Sequence, residues 1–173
     1  MKKEEKTNVM RLLDGKKISY ESHLYEPDAT LSGEDIAKIL GENAEQVFKT
    51  LVTEGKTGEH YVFVVPVGAE LDLKKAAKAC GEKAVAMIKQ KELLPLTGYV
   101  HGGCSPIGMK KPFKIFIHET AMTYDRMFVS AGRVGFQIGI APADLVKVTG
   151  CIVADVVEHT GIEPSSPRFY SSP

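Results

Sequence analysis

Tyr61-Val62-Phe63-Val64-Val65-Pro66-Val67 is the most apolar extended segment of this sequence. Valine and aromatic residues favour strands, and an unbroken apolar run leaves no polar face for water. The segment therefore predicts a strand in the interior of a sheet rather than at its edge. A second extended segment is predicted before it, over residues 47–53.

Capping signals place helices around these strands. Ser32 followed by Asp35 is a capping-box pattern, and Asp72 is typical of a helix N-terminus. Pro142 suits the first turn of a last helix. Helices are predicted over residues 7–14, 32–40, 72–80 and 142–148, with short turns at 43–46 and 89–94, and further strands over 19–25, 84–88, 113–117, 127–130, 136–140 and 151–157.

Glycine turns join several of the later strands without an intervening helix. This arrangement favours an α+β fold, with a mixed, barrel-like β-sheet flanked by helices, over a doubly wound parallel sheet. The 173 residues are predicted to form one domain over residues 1–160. Residues 161–173 hold three prolines and four serines, and they predict a disordered C-terminal tail.

The composition narrows the class of protein. Basic and acidic side chains number 22 each, so any RNA contact requires a local patch or a partner protein. Three widely spaced cysteines without a C-x-x-C pair disfavour a disulfide framework or a zinc knuckle. No apolar run reaches the ~18 residues of a membrane span, and the first residues lack a secretory signal. A cytoplasmic protein is predicted.

The segment Gly98-Tyr99-Val100-His101-Gly102-Gly103-Cys104-Ser105-Pro106-Ile107-Gly108 contains four glycines and a proline. Ordering glycine costs extra conformational entropy, so a loop of this kind needs a physical reason. One reason is a backbone that approaches a ligand and directs N–H groups toward it. A tight turn between strands, without any ligand, is the other. The residues alone leave both interpretations open.

Lys49 and Thr50 begin a strand among apolar neighbours. An ammonium in such surroundings is costly unless it meets an anion or reaches water. Snorkelling at the strand end is the simpler interpretation. A second glycine loop, residues 130–135, resembles a phosphate-binding turn but lacks the Gly-Lys-Ser/Thr ending of a P-loop. A hairpin with a bulge explains it nearly as well.

Other reactive side chains give weaker signals. Cys104 lies in the first glycine loop, but no neighbour in sequence supplies the base that a nucleophilic thiol needs, so a packing role is predicted. The histidines have no metal-ligand spacing, although His101 stands in a suggestive place. Lysines 110, 111 and 114 follow the loop and are candidates for phosphate contact.

Motifs in a fixed order match a known family. They are Val47-Phe48-Lys49-Thr50-Leu51, then Pro66-Val67 with Leu71-Asp72-Leu73-Lys74-Lys75, then the loop pattern Gly98-Tyr99-x-x-Gly102-Gly103-x-Ser105-Pro106-x-Gly108. Over roughly residues 6–158 the chain resembles the YbaK/EbsC family, and within it the Cys-tRNA(Pro)/Cys-tRNA(Cys) deacylases. The resemblance implies a fold shared with the editing domain of bacterial prolyl-tRNA synthetases. It also implies trans-editing, the hydrolytic release of a wrong amino acid from tRNA.

The resemblance further implies which residues function. Lys49, Gly102 and Gly103 take the catalytic positions, with the two glycine amides as oxyanion donors. No metal or organic cofactor is expected, and the implied partners are a mischarged tRNA and prolyl-tRNA synthetase. The predicted substrate contacts are Tyr25, Thr50, Tyr99, Ser105, Ser130, Gly132 and Gln137.

Two positions depart from the family pattern and bear on amino-acid specificity. Gln137 stands where an aspartate is frequent, and Leu31 or Ser32 stands where an aromatic residue is frequent. In such enzymes the thiol of the substrate cysteine attacks its own carbonyl, so no protein nucleophile is needed. The alternative class is a non-catalytic aminoacyl-tRNA or nucleotide-binding module, acting as a synthetase partner or regulator.

Overall fold

The computed structural model describes residues 5–158, so the predicted tail lies outside the described residues. The described chain contains five α-helices, eight strands and three short 3-10 helices. The α-helices are α1 (Asn8–Gly15), α2 (Gly33–Leu40), α3 (Leu73–Cys80), α4 (Leu93–Thr97) and α5 (Pro142–Thr149). The strands are β1 (Glu21–Leu24), β2 (Phe48–Gly55), β3 (His60–Pro66), β4 (Val85–Met87), β5 (Lys114–His118), β6 (Met127–Arg133), β7 (Phe136–Ile140) and β8 (Ile152–Ala154).

The strands form two sheets. The larger has the order β4-β2-β3-β5-β8, and the smaller has the order β1-β7-β6. In the larger sheet β2 and β3 are antiparallel, whereas β3–β5 and β5–β8 are parallel. A parallel bridge between Val47 and Phe128 joins the two sheets. The predicted α+β class and mixed sheet are confirmed, but within residues 5–158 the strands do not close into a barrel.

Strand β3 lies in the interior of the larger sheet, as its apolar sequence predicts. Val62 and Val64 pack into a hydrophobic cluster that also holds residues of α1, β6 and β7. Phe63 and Val65 pack on the other side, where Ala76 of α3 contributes. Because both faces of β3 are covered, the strand needs no polar alternation.

The predicted helix ends are present. Ser32 and Asp35 form a capping box at α2, and the Asp72 carboxylate accepts hydrogen bonds from the first backbone amides of α3. The spacing of Leu73, Ala76 and Ala77 predicts one apolar face for α3. The two alanines are buried, but Leu73, at the first position of the helix, is 42% exposed and borders an open groove. No helix among the described residues is long and apolar enough to cross a membrane.

The second glycine loop is a bulged hairpin. Strand β6 continues through Arg133, and its register against β7 shifts between Ser130 and Arg133. Ser130 lies directly opposite Gln137. These two residues form the last regular pair before the bulge, next to the turn of the hairpin.

Candidate functional site

A cavity of about 250 Å³ lies where the start of β2, the first turn of α2, the β6–β7 hairpin and the first glycine loop meet. Apolar side chains such as Ile36, Phe48 and Val129 form much of its wall. Such an arrangement, an apolar cavity with a few convergent polar groups, is typical of a small-molecule site. Its polar lining consists of Tyr25, Ser32, Lys49, Thr50, His101, Cys104, Ser130 and Gln137.

Lys49 supplies a cation to this cavity. Its ammonium makes no ion pair with any residue in the part of the chain that the structure describes. The same side chain borders an open groove of about 770 Å³ that also contains Asp72, Lys74 and Glu158. Lys49 therefore stands between cavity and groove, in a position to meet an anionic group that enters from outside.

Thr50 carries a hydroxyl without a protein partner. Its Oγ1 is buried, and none of the described residues forms a hydrogen bond with it. An unsatisfied buried polar atom costs about 1–3 kcal/mol. Because Thr50 lines the cavity, a bound ligand can supply the missing hydrogen bond.

The glycine pair of the first loop serves two different purposes. Gly102 lines the cavity with φ at +87°, and within residues 5–158 its N–H has no acceptor. The Gly103 N–H donates instead to Val100 O at 2.9 Å. A Cβ on Gly103 would lie 2.9 Å from Val134 N and 3.1 Å from the carbonyl carbon of Arg133. Gly103 is therefore a packing glycine, and of the two loop amides only that of Gly102 has no acceptor within residues 5–158.

Three predicted substrate contacts do not line the cavity. The Tyr99 hydroxyl donates to Ile107 O, and Ser105, fully buried, accepts from Ile107 N at 3.2 Å. Gly132 has φ at +97°, and a Cβ there would lie 3.1 Å from the Tyr99 ring. The first two contacts hold the loop together, and the third packs the loop against the hairpin. We therefore expect these residues to affect a ligand only through the position of the loop.

The other predicted contacts are brought together. Ser130 Oγ accepts from Gly132 N at 3.1 Å, so the Ser130 hydroxyl hydrogen remains for a ligand. Tyr25 is half-buried on the loop after β1, and burial raises the pKa of its phenol. Its hydroxyl therefore stays protonated at neutral pH and can donate a hydrogen bond.

Gln137 belongs to a network that sequence reasoning missed. Its Nε2 donates to Glu42 Oε1 at 2.9 Å, and its Oε1 lies 2.9 Å from His23 Nδ1. Burial raises the pKa of Glu42, against the hydrogen bonds from Gln137 and His23, which lower it. Glu42 and Gln137 lie far apart in sequence, and no motif marks Glu42. In the sequence, the only feature that pointed to this network was Gln137 itself, which stands where the family frequently has an aspartate.

Cys104 lines the cavity, and burial raises the pKa of its thiol to about 12. The thiol is therefore protonated at neutral pH, which supports the packing role and not a nucleophilic one. The exposed His101 borders the cavity, whereas the lysines at 110, 111 and 114 do not line it.

A potential cation cluster lies elsewhere in the described chain. The ligand atoms of Glu54, His60 and Glu92 lie within 4.8 Å of one another. None of the three lines the cavity. The candidate site thus offers a cation, hydroxyl groups, one backbone amide, a carboxamide, an imidazole and a thiol, and among the described residues no group of three close metal-ligand side chains lies there.

Comparisons with known proteins identify the family of this chain. The family model described as the aminoacyl-tRNA editing domain matches residues 26–148, which include most of the cavity wall. EbsC of Enterococcus faecalis, which is named a Cys-tRNA(Pro)/Cys-tRNA(Cys) deacylase, is 43% identical over 156 residues, or 90% of this chain and 95% of that protein. A proline–tRNA ligase of Burkholderia orbicola is 28% identical over 109 residues, but the match spans only 19% of the ligase.

Solved structures share the fold. A structure described as a trans-editing enzyme for prolyl-tRNA synthetase superposes with a TM-score of 0.75 at 25% identity, over 90% of this chain and 100% of that one. The protein APE2540 superposes with a TM-score of 0.80 at 23% identity, over 87% and 99% of the two chains. The second likeness establishes the fold alone.

Proposed function

This chain belongs to the aminoacyl-tRNA editing domain family, and from that premise we propose that it is a trans-editing aminoacyl-tRNA deacylase that hydrolyses mischarged Cys-tRNA(Pro). One observation carries the proposal. Three groups that have no protein partner within residues 5–158 border one small cavity: the Lys49 ammonium, the Thr50 hydroxyl and the Gly102 amide. The name of the EbsC relative supports cysteine as the amino acid and Cys-tRNA(Cys) as a second substrate.

The size of the cavity indicates which part of the tRNA enters. Pockets for whole small molecules usually measure about 300–1,000 Å³, so about 250 Å³ suits an aminoacyl group and the ribose that carries it. The rest of the tRNA lies outside, where the adjoining groove carries Glu70, Asp72 and Glu158 beside its lysines. The net charge of the protein is zero, and the groove carries acidic as well as basic side chains. We therefore expect a partner protein to supply part of the affinity for tRNA, and we propose prolyl-tRNA synthetase as that partner.

The reaction needs charge stabilisation more than a protein nucleophile. The substrate thiol passes its proton to water, its sulfur bonds to the ester carbonyl carbon, and the carbonyl oxygen becomes negative. Gly102 N–H donates to that oxygen, and Lys49 offsets its charge; one such donor contributes about 3 kcal/mol. The C–O bond to the ribose then breaks, the ribose oxygen takes a proton, and water opens the cyclic thioester to free cysteine.

Thr50→Val is expected to lower kcat/KM about 10-fold to 100-fold, because a hydrogen bond to the substrate is lost while the shape is kept. Stability should be unchanged or slightly higher, since the native hydroxyl is unsatisfied. Deacylation kinetics and urea unfolding measure the two effects. Thr50→Ser, which keeps the hydroxyl, is the matched variant and should retain most activity. Equal losses in both variants would contradict a hydrogen-bonding role.

Cys104→Ser is expected to retain most of the deacylation rate, within about 3-fold of the unchanged protein. The buried Cys104 thiol has a pKa of about 12, so it supplies almost no thiolate at neutral pH. Single-turnover deacylation measures the effect. Complete loss in a folded protein would identify Cys104 as the nucleophile and would overturn the thiol-assisted route.

A deacylation assay tests the function itself. The purified protein is incubated with tRNA(Pro) charged with cysteine, serine, alanine or proline, with and without prolyl-tRNA synthetase. Release of cysteine much faster than serine supports a route that uses the substrate thiol, since shape alone separates such close analogues by only ~1–3 kcal/mol. Equal release of serine excludes that route. Binding without release of any amino acid would instead favour a non-catalytic binding module.

A further inference from the structure

Gln137 is held at the cavity wall by two side chains that do not line the cavity themselves. We propose that Glu42 and His23 are positioning residues that fix the Gln137 carboxamide, so that its nitrogen offers a hydrogen-bond donor to the aminoacyl group of the substrate. This inference rests on the deacylase function proposed above. It concerns the residue that departs from the family pattern, and it explains what a glutamine does there.

The network permits only one orientation of the carboxamide. The two ends of a glutamine amide are nearly alike in shape and differ in hydrogen bonding. The Glu42 carboxylate lies between two nitrogens, with Gln137 Nε2 2.9 Å from its Oε1 and His23 Nδ1 3.0 Å from its Oε2, and it is the acceptor of both. A flipped amide would set Gln137 Oε1 against that carboxylate oxygen. His23 Nδ1, 2.9 Å from Gln137 Oε1, supplies the donor that the unflipped oxygen requires.

The two supporting residues are themselves fixed by the fold. Gly41 ends α2 in the left-handed region, and the backbone N–H of Glu42 returns to Ala37 O at 2.8 Å. His23 pairs with Gln137 across β1 and β7, and its ring lies 5.6 Å from that of Phe128. His23 thus lies on a strand and Glu42 directly follows the capped end of a helix, and supports held in this way position a site more accurately than free loops do.

Each oxygen of the buried Glu42 carboxylate has a nitrogen partner in this network. The side chain is 7% exposed, and a carboxylate so placed is tolerated when its oxygens accept hydrogen bonds. Oε1 accepts from Gln137 and Oε2 lies 3.0 Å from His23 Nδ1. Since both neighbours of Nδ1 are acceptors, that nitrogen carries a hydrogen, which it shares between Glu42 Oε2 and Gln137 Oε1.

One hydrogen of the Gln137 amide remains for the substrate. Nε2 carries two hydrogens, and within the described range 5–158 it makes a single hydrogen bond, to Glu42. Gln137 is 3% exposed and borders the cavity beside Ser130. Bulk water therefore has little access to the second Nε2 hydrogen, and an acceptor atom of the aminoacyl group can form a hydrogen bond with it instead. An aspartate at this position would instead present an acceptor.

A double-mutant cycle tests whether Glu42 acts through Gln137. Glu42→Gln and Gln137→Leu are each expected to lower kcat/KM for Cys-tRNA(Pro) about 10-fold, and the double variant should be no slower than Gln137→Leu alone. Glu45→Gln, on the neighbouring 3-10 helix and outside the cavity wall, is the matched control and should be unaffected. Independent losses that multiply in the double variant would overturn the proposal, as would an unchanged rate in Glu42→Gln.

A second measurement does not depend on activity. The side-chain amide signal of Gln137, identified by its loss in Gln137→Leu, should exchange slowly with solvent in the unchanged protein and at least 10-fold faster in Glu42→Gln. Equal exchange in the two proteins would overturn the positioning role. If the unchanged protein released no amino acid from any tRNA, the proposed function would fail, and this exchange measurement would still decide the orientation of Gln137.

Discussion

Lys49→Met is expected to lower kcat/KM for deacylation of Cys-tRNA(Pro) by at least about 10³-fold while leaving the free energy of unfolding nearly unchanged. Removing one preorganised charge-stabilising group from an active site commonly costs about 10²–10³ in rate. Lys49 also borders the groove from which the tRNA end enters, so binding should weaken as well. Methionine keeps the aliphatic stem that packs at the start of β2.

The absence of an ion pair makes this variant informative. Since Lys49 pairs with no acidic group in the described structure, its loss leaves no unpaired carboxylate behind and should not unfold the protein. Steady-state kinetics and urea unfolding measure the two quantities. Lys38→Met, an exposed lysine on α2 outside the cavity wall, is the matched control. A rate for Lys49→Met close to that of the control would remove Lys49 from the mechanism.

Gly103→Ala is expected to destabilise the fold by about 2–3 kcal/mol, because the added methyl group meets backbone atoms that cannot rotate away. The ideal Cβ position lies 2.9 Å from Val134 N and 3.1 Å from the carbonyl carbon of Arg133. The first glycine loop must then separate from the β6–β7 hairpin, which opens the cavity. Urea unfolding should show the loss of stability, and deacylation should fall with it.

Two other glycine-to-alanine variants distinguish steric overlap from backbone strain as the cause of the lost stability. Gly102→Ala has ordinary contact distances, with the nearest atom at 3.5 Å, but it retains φ at +87°; a left-handed alanine costs about 1–2 kcal/mol. Gly15→Ala has no atom within 4 Å of the added carbon and should be neutral. If Gly103→Ala were as stable as Gly15→Ala, the close packing of loop and hairpin would not limit this position.

Local signals in the sequence predicted the elements well. The capping box at Ser32, the carboxylate at Asp72 and the unbroken apolar run of β3 are each confirmed, because capping and burial of a single strand depend on neighbouring residues. The hairpin with a bulge was one of two interpretations of residues 130–135, and it is the one that the structure shows. Closure of the sheet could not be predicted in this way, since it depends on how strands from distant segments meet.

The site was predicted in part. Ordered motifs pointed to Lys49, Thr50 and Gly102, and the structure brings all three to one cavity. The motifs could not distinguish a glycine that faces a ligand from one that faces a neighbouring backbone. Gly102 and Gly103 are adjacent in sequence. Within residues 5–158 the Gly102 amide has no acceptor, whereas the Gly103 amide donates to Val100 O.

The helices, the strands, the family motifs and the lysine at the cavity could be predicted, because each depends on residues that lie close together along the chain. Tertiary structure alone decided that the sheets stay open and that Glu42 and His23 support Gln137. Hydrogen bonds and packing act over a few ångströms of space, and folding brings together residues that are 95 and 114 positions apart.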